Sequence, residues 1–150
     1  MTRTRTLALA LTSTAALALF GCVTARSSLT SSAASLDRSA DSLARSVYDV
    51  PASETSSRYN RDVQALAEDA HAFRRAAEGR SASDSDVRAA FDRVSRDYHA
   101  VRDDVDRSDS RTAREDLRPV TQSYLDVERD MGRYAGRPYP DREYPDRPPG

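Results

Sequence analysis

One pattern constrains this chain more than any other. Apolar residues recur with alternating steps of four and three, and they do so in four separate segments. The first stripe is Leu29, Ala33, Leu36, Ala40, Leu43, Val47 and Val50. The second is Tyr59, Val63, Leu66, Ala70, Phe73 and Ala77. The third is Val87, Phe91, Val94, Tyr98, Val101 and Val105. The fourth is Ala113, Leu117, Val120, Tyr124, Val127, Met131 and Tyr134. An α-helix places such a series on one face, as the a and d positions of a heptad, whereas a strand would need alternation by two. A helix with one apolar face must bury it, and four of them in sequence predict an all-α fold.

Between the stripes stand residues that end helices. Pro51 to Ser57 separates the first two segments, with Ser57 as an N-cap. Gly79 to Ser85 separates the second from the third, with Gly79 at the C-terminal cap position and Ser83 or Ser85 opening the next helix. Thr112 and Glu115 have the spacing of a capping box at the start of the fourth. Connections this short join antiparallel neighbours. The prediction is therefore an up-down-up-down antiparallel four-helix bundle over residues 29–135, with coiled-coil-like heptad packing. Pro119 falls within the fourth stripe, which stays in phase across it, so a kink is expected rather than a reversal. The first helix, rich in alanine and serine, is expected to fray over its first two turns.

Ahead of the stripes the chain has a different character. Met1 to Thr6 carries Arg3 and Arg5, and an apolar run follows from Leu7 to Phe20. About 14 helical residues rise only ~21 Å, short of a ~30 Å hydrocarbon core. A basic opening, a short apolar run and small residues at its end are the layout of a secretory signal. The run ends Leu19-Phe20-Gly21-Cys22, and Cys22 is the only cysteine. A lone thiol leaves no internal disulfide and no Cys-x-x-Cys redox pair.

This ending resembles the lipobox of bacterial lipoproteins, although Phe20 stands where that motif usually has a small or β-branched residue. The resemblance implies cleavage between Gly21 and Cys22 and attachment of lipid, including palmitate-type acyl chains, at Cys22. It makes residues 1–21 the signal peptide and 22–28 the lipid anchor with a short tether. One acyl chain holds a protein only marginally, so the two or three chains of the family imply firm anchoring. Val23, which is not aspartate, implies by the same resemblance the outer membrane, facing the periplasm, if the organism is diderm.

Composition narrows the partners. Removing Arg3 and Arg5 leaves 21 of the 23 basic residues against 24 acids, a net charge of about −3. No basic excess is available to attract nucleic acid, and no polybasic patch to attract anionic lipid. The last segment, 136–150, has no stripe and contains Tyr-Pro-Asp-Arg twice, at Tyr139 and at Tyr144. Its prolines suit an extended, solvated, disordered tail.

Residues that carry chemistry are sparse. Glu68 and His71 have the Glu-x-x-His spacing of carboxylate-bridged di-iron bundles, but the only other histidine, His99, has Arg96 three residues before it. Each histidine follows a stripe residue, Ala70 or Tyr98, and so is expected to face outward. No metal site and no cofactor follow. The serines accompany no inward histidine or nucleophile elbow, and no glycine-rich phosphate loop is present. The acids alternate with arginines and avoid the stripes, which predicts solvated ion pairs rather than a catalytic pair. The inward tyrosines Tyr59, Tyr98, Tyr124 and Tyr134 are expected near the bundle ends, with their hydroxyls in water.

These readings converge on a non-enzymatic envelope lipoprotein with a structural, stress-related or protein-interaction role. Its partners would be the membrane, through Cys22, and a protein of the envelope. Two alternatives stay open at this stage. One is a periplasmic bundle that binds a small ligand or metal. The other is a self-associating coiled coil whose stripes pair between chains.

Overall fold

The computed structural model describes residues 18–49, 57–108 and 110–135, with the side chains of 18–25, 48 and 49 excepted. The basic opening, most of the apolar run, Val50, the first connection and the tail lie outside the described residues. Four helices follow one another: α1 (Ala18–Asp49), α2 (Ser57–Glu78), α3 (Asp84–Ser108) and α4 (Arg111–Tyr134). They pack as an antiparallel four-helix bundle in which α1 lies against both α2 and α4, and α2 lies against α3.

Paired side chains fix the direction of each helix. Arg26 and Thr30, early in α1, reach the carbonyls of Gly79 and Ala77 at the end of α2, at 2.5 and 3.3 Å. Phe73 of α2 meets Phe91 of α3, while Arg58 at the start of α2 pairs with Asp104 near the end of α3. Tyr134 at the end of α4 donates to Asp84 at the start of α3. The chain thus runs up, down, up and down. The start of α1, the 79–83 turn and the end of α4 share one end of the bundle.

The stripes are the core. Every stripe residue from Leu29 to Val47, all six of α2, all six of α3, and Leu117 to Met131 in α4 are buried. Ala113 and Tyr134 are half-buried at the ends of α4 and pack against that core. The expected fraying of α1 is not seen: Leu29 is 1 % exposed and Ala33 0 %. The helix starts at Ala18, ahead of Cys22, so its first described core residues sit several turns inside it and are covered by the end of α2. Residues 22–28, assigned from the sequence to anchor and tether, are helical throughout.

Helix ends differ in detail from the sequence expectation. Ser83 opens α3: its Oγ accepts from the Asp86 amide at 3.2 Å, and Asp86 Oδ2 accepts from the Ser83 amide at 3.0 Å. This is a reciprocal capping box with aspartate in place of glutamate. The Thr112/Glu115 box does not form. Only residues 109 and 110 join α3 to α4, so the helix starts earlier, and Ser110 is the cap, accepting from the Ala113 amide at 3.2 Å. Glu115 instead pairs with Arg111 at 2.9 Å. At the end of α2, the Gly79 amide closes a last α-turn on the Arg75 carbonyl at 2.9 Å. Pro119 lies within an unbroken α4 on its exposed face. There water can satisfy the carbonyl whose helical donor is missing.

Candidate functional site

Gly21 and Cys22, the cleavage and attachment residues expected from the sequence, lie in the first turns of α1. Four residues later Arg26 is already bound to the far end of α2. Cys22 is therefore built into the first helix of the bundle, on the end that also carries the 79–83 turn and Tyr134.

A second feature lies between α2 and α3, and the stripes alone do not reveal it. The positions immediately preceding the stripe residues Val63, Ala70, Tyr98, Val105, Leu117 and Met131 are all aspartate: Asp62, Asp69, Asp97, Asp104, Asp116 and Asp130. In heptad terms these are g positions, which face each other across an antiparallel pair. Across the α2–α3 seam this sets acid against acid. Asp97 shares a hydrogen bond with Asp69, and its carboxyl is pushed from the ordinary 3.8 up to about 6. Burial is the main cause, followed by the Asp69 hydrogen bond and charge and, more weakly, the Asp62 charge, with Arg96 acting in the opposite direction. Arg93 offsets Asp69 at 3.4 Å, and Arg58 lies 3.6 Å from both Asp62 and Asp104.

The expectation that the acids stay solvated is thus corrected at this seam and in α4. The side chains of Asp104 and Asp130 are only 8 % and 9 % exposed, held by Arg107 and Arg133 respectively. The physical reason is that the buried face is wider than the stripe. Ser32, Ala44, Ala90, Ser95 and Ser123, all flanking stripe residues, are buried too. The a and d positions locate the centre of a helix face but not its margins, and the aspartates stand on the margin.

The tyrosines divide. Tyr59 and Tyr134 lie at helix ends, as expected. Burial, aided by Asp116 and Asp104, pushes the Tyr59 phenol up to about 12. Tyr98 and Tyr124 do not follow the expectation. They lie midway along α3 and α4, are 2 % and 1 % exposed, and stack on each other at 4.1 Å with planes 13° apart. Their hydroxyls meet side chains, not water: Tyr124 pairs with Ser95 at 2.9 Å and Tyr98 donates to Thr121 at 3.2 Å. Two hydroxyl residues beside the stripes satisfy the phenols, as burial requires. Phe91 extends this layer, 5.8 Å from Tyr124 and 5.6 Å from Phe73.

The histidines also divide. His71 is half exposed and sits 3.3 Å from Asp37, which also pairs with Arg74 at 3.3 Å. Glu68 is exposed beside it. His99 is half-buried rather than outward, its ring 5.4 Å from Tyr98 and 6.0 Å edge-on to Tyr124. The two histidines lie on different helices and share no partner in these contacts. Among the described residues no three metal-ligating side chains gather into a group. An open groove of about 330 Å³ crosses α1 and α2, lined by Val47, Asn60, Arg61, Gln64, Ala65 and Glu68. No helix among the described residues is long and apolar enough to cross a membrane. Compared with protein-family models, with characterised proteins and with solved structures, the chain matches none.

Proposed function

We propose that this chain is a cell-envelope lipoprotein, anchored by lipid on Cys22, whose bundle has a structural or protein-interaction role and no catalytic one. The observation that carries the reading is the sequence Leu19-Phe20-Gly21-Cys22 closing a secretory-type run, with the chain's only cysteine at the first residue after the expected cleavage. The fold supports it from the other side. The bundle begins where the lipid would be, and the core tyrosines Tyr98 and Tyr124 find side-chain partners for their hydroxyls. In the aspartate seam Arg58 lies against Asp62 and Asp104 and Arg93 against Asp69, which supports a structural role.

Of the alternatives, self-association through the stripes is the less favoured, because the described stripes are buried within one chain. The groove over α1 and α2 favours the ligand-binding alternative only weakly, being open and shallow. The deciding experiment is incorporation of labelled palmitate into the full chain, with membrane fractionation of wild type and Cys22→Ser. Label on the wild type alone, and release of the variant from membranes with its helical circular dichroism intact, is the expected result. A variant that stays with salt-washed membranes refutes the anchor.

A further inference from the structure

The bundle end that carries Cys22 has a composition suited to a surface. It is built from Arg26, the 79–83 turn, the first turns of α3 and Tyr134. Of the acids at this end, Asp130 pairs with Arg133, while Asp84, which accepts from Tyr134, and Asp86, which caps α3 with Ser83, keep their negative charge. Glu78 lies 3.8 Å from Arg74. Arg80 and Arg88 are exposed and have no ion-pair partner among the described residues. Tyr134 is half-buried, with its ring on the core and its phenol at the rim near the charges of Arg26 and Arg88. A tyrosine with an apolar body and a polar tip, flanked by arginines, is the side-chain set that sits at a membrane–water boundary.

Chain length fixes how far this end stands from the lipid. Arg26 follows Cys22 by four residue steps, and Arg26 is bound to the Gly79 carbonyl. Kept helical, that interval spans about 6 Å; even fully extended it spans at most about 14 Å. The headgroup layer on one side of a bilayer is roughly 5 to 8 Å deep. Held helical, as α1 is over this interval, the bundle does not stand clear of the headgroups.

We propose that this end of the bundle is a membrane-seating surface that binds phospholipid phosphates through Arg80 and Arg88, with Tyr134 at the boundary. The proposal rests on the lipid anchor at Cys22 and adds to it a defined orientation. The bundle stands on the bilayer, and the opposite end, where α3 turns into α4, points away. That leaves the far end and the flanks as the faces open to an envelope partner.

The test uses the full chain purified from membranes, in which Cys22 is occupied by lipid and an introduced cysteine is the sole free thiol. Spin labels at Ser81→Cys and at Arg111→Cys report the two ends. Arg111 is chosen for its 89 % exposed side chain, since Ser110 caps α4. In vesicles containing phosphatidylglycerol, the label at 81 should show the relaxation pattern of the headgroup layer and the label at 111 that of bulk water. Changing Arg80 and Arg88 to glutamine should move the label at 81 toward water several-fold in its accessibility ratio, with helicity and membrane retention unchanged. Equal exposure of 81 and 111 on membrane-bound, lipid-carrying protein overturns the seat while the anchor stands. An unmoved label in the glutamine variant overturns the role of the arginines. Mass spectrometry showing no lipid on Cys22 removes the anchor, and the seat with it.

Discussion

The two sides of this bundle pack by different means. Along α1 the buried residues include Ala33, Ala40 and Ala44, and the backbone comes close to both α2 and α4. Between α3 and α4 close backbone approach is confined to a few positions, and the space is filled by Phe91, Tyr98 and Tyr124. Both sides follow the same heptad spacing. Interaxial distance depends on the side chains at the contact, so small residues draw helices together and aromatic rings hold them apart. Periodicity therefore sets which face is inside, and side-chain volume sets how far away the neighbour is.

The sharpest test of the aromatic side is to remove its central ring. Tyr124→Ala takes away a side chain that stacks on Tyr98 and touches Phe91, and it leaves the Ser95 hydroxyl without its phenol. We expect a loss of about 3 to 5 kcal/mol in urea unfolding, the range for deleting a buried aromatic side chain. A loss below about 1 kcal/mol would mean that α3 and α4 collapse together freely and that the rings are not spacers.

The reverse change tests the close side. Ala40→Leu inserts volume where α1 is 1 % exposed at that residue. Overpacking of this kind typically destabilises by about 1 to 3 kcal/mol. The same chemical change at the exposed residue Ala89 should be near neutral. Equal thermal midpoints for the two variants would remove the distinction between the sides.

A smaller effect separates ring from hydroxyl. Tyr124→Phe keeps the stack but strands the buried Ser95 hydroxyl, and about 0.5 to 1.5 kcal/mol should be lost. Adding Ser95→Ala removes the stranded group, so the double variant should recover part of that loss. Strict additivity of the two changes would show that the bond contributes nothing.

How much of this was legible in the sequence follows from the same distinction. The stripes give the helices and their inward faces, because a period of 3.5 residues has one structural meaning over five or more turns, and the short connections give the antiparallel order. Volume was also readable, but its consequence needed a partner: nothing in Tyr98 alone says that Tyr124 lies across from it. Tyr98 and Tyr124 depart from the expected helix ends for that reason, and His99 departs from the expected surface because Tyr124 of α4 lies against it. The aspartate seam was missed although its signal was present, since each acid immediately precedes a stripe residue. Reading only the centre of each face discards the margins, and the margins hold the Asp69–Asp97 pair. The lipobox resemblance stands apart from all of this: it rests on a local motif, and nothing in the fold bears on it.

That pair yields the smallest expected effect and the one with a definite sign. Asp97 titrates near 6 in the folded protein and near 3.8 when unconstrained, so between those values the folded chain binds more protons than the unfolded one. Stability then falls as pH rises through this window, and the contribution is fully present only below about 3.8. Asp86 acts in the opposite sense. The Ser83 hydrogen bonds hold its carboxyl below the ordinary range, so its contribution is lost as pH falls. Asp97→Asn isolates the first effect, because an amide can still donate to Asp69 without carrying charge. The variant should melt at a higher temperature than wild type well above pH 6, and the difference should shrink steadily as pH is lowered toward 3.8. Asp97 is only partly buried, so solvent screening keeps the shift to a few degrees at most. Arg93→Gln should enlarge the wild-type dependence, since it removes the cation 3.4 Å from Asp69 and leaves the two carboxylates less compensated. A pH-independent gap between Asp97→Asn and wild type would show that Asp69 and Asp97 do not share a proton across the α2–α3 seam.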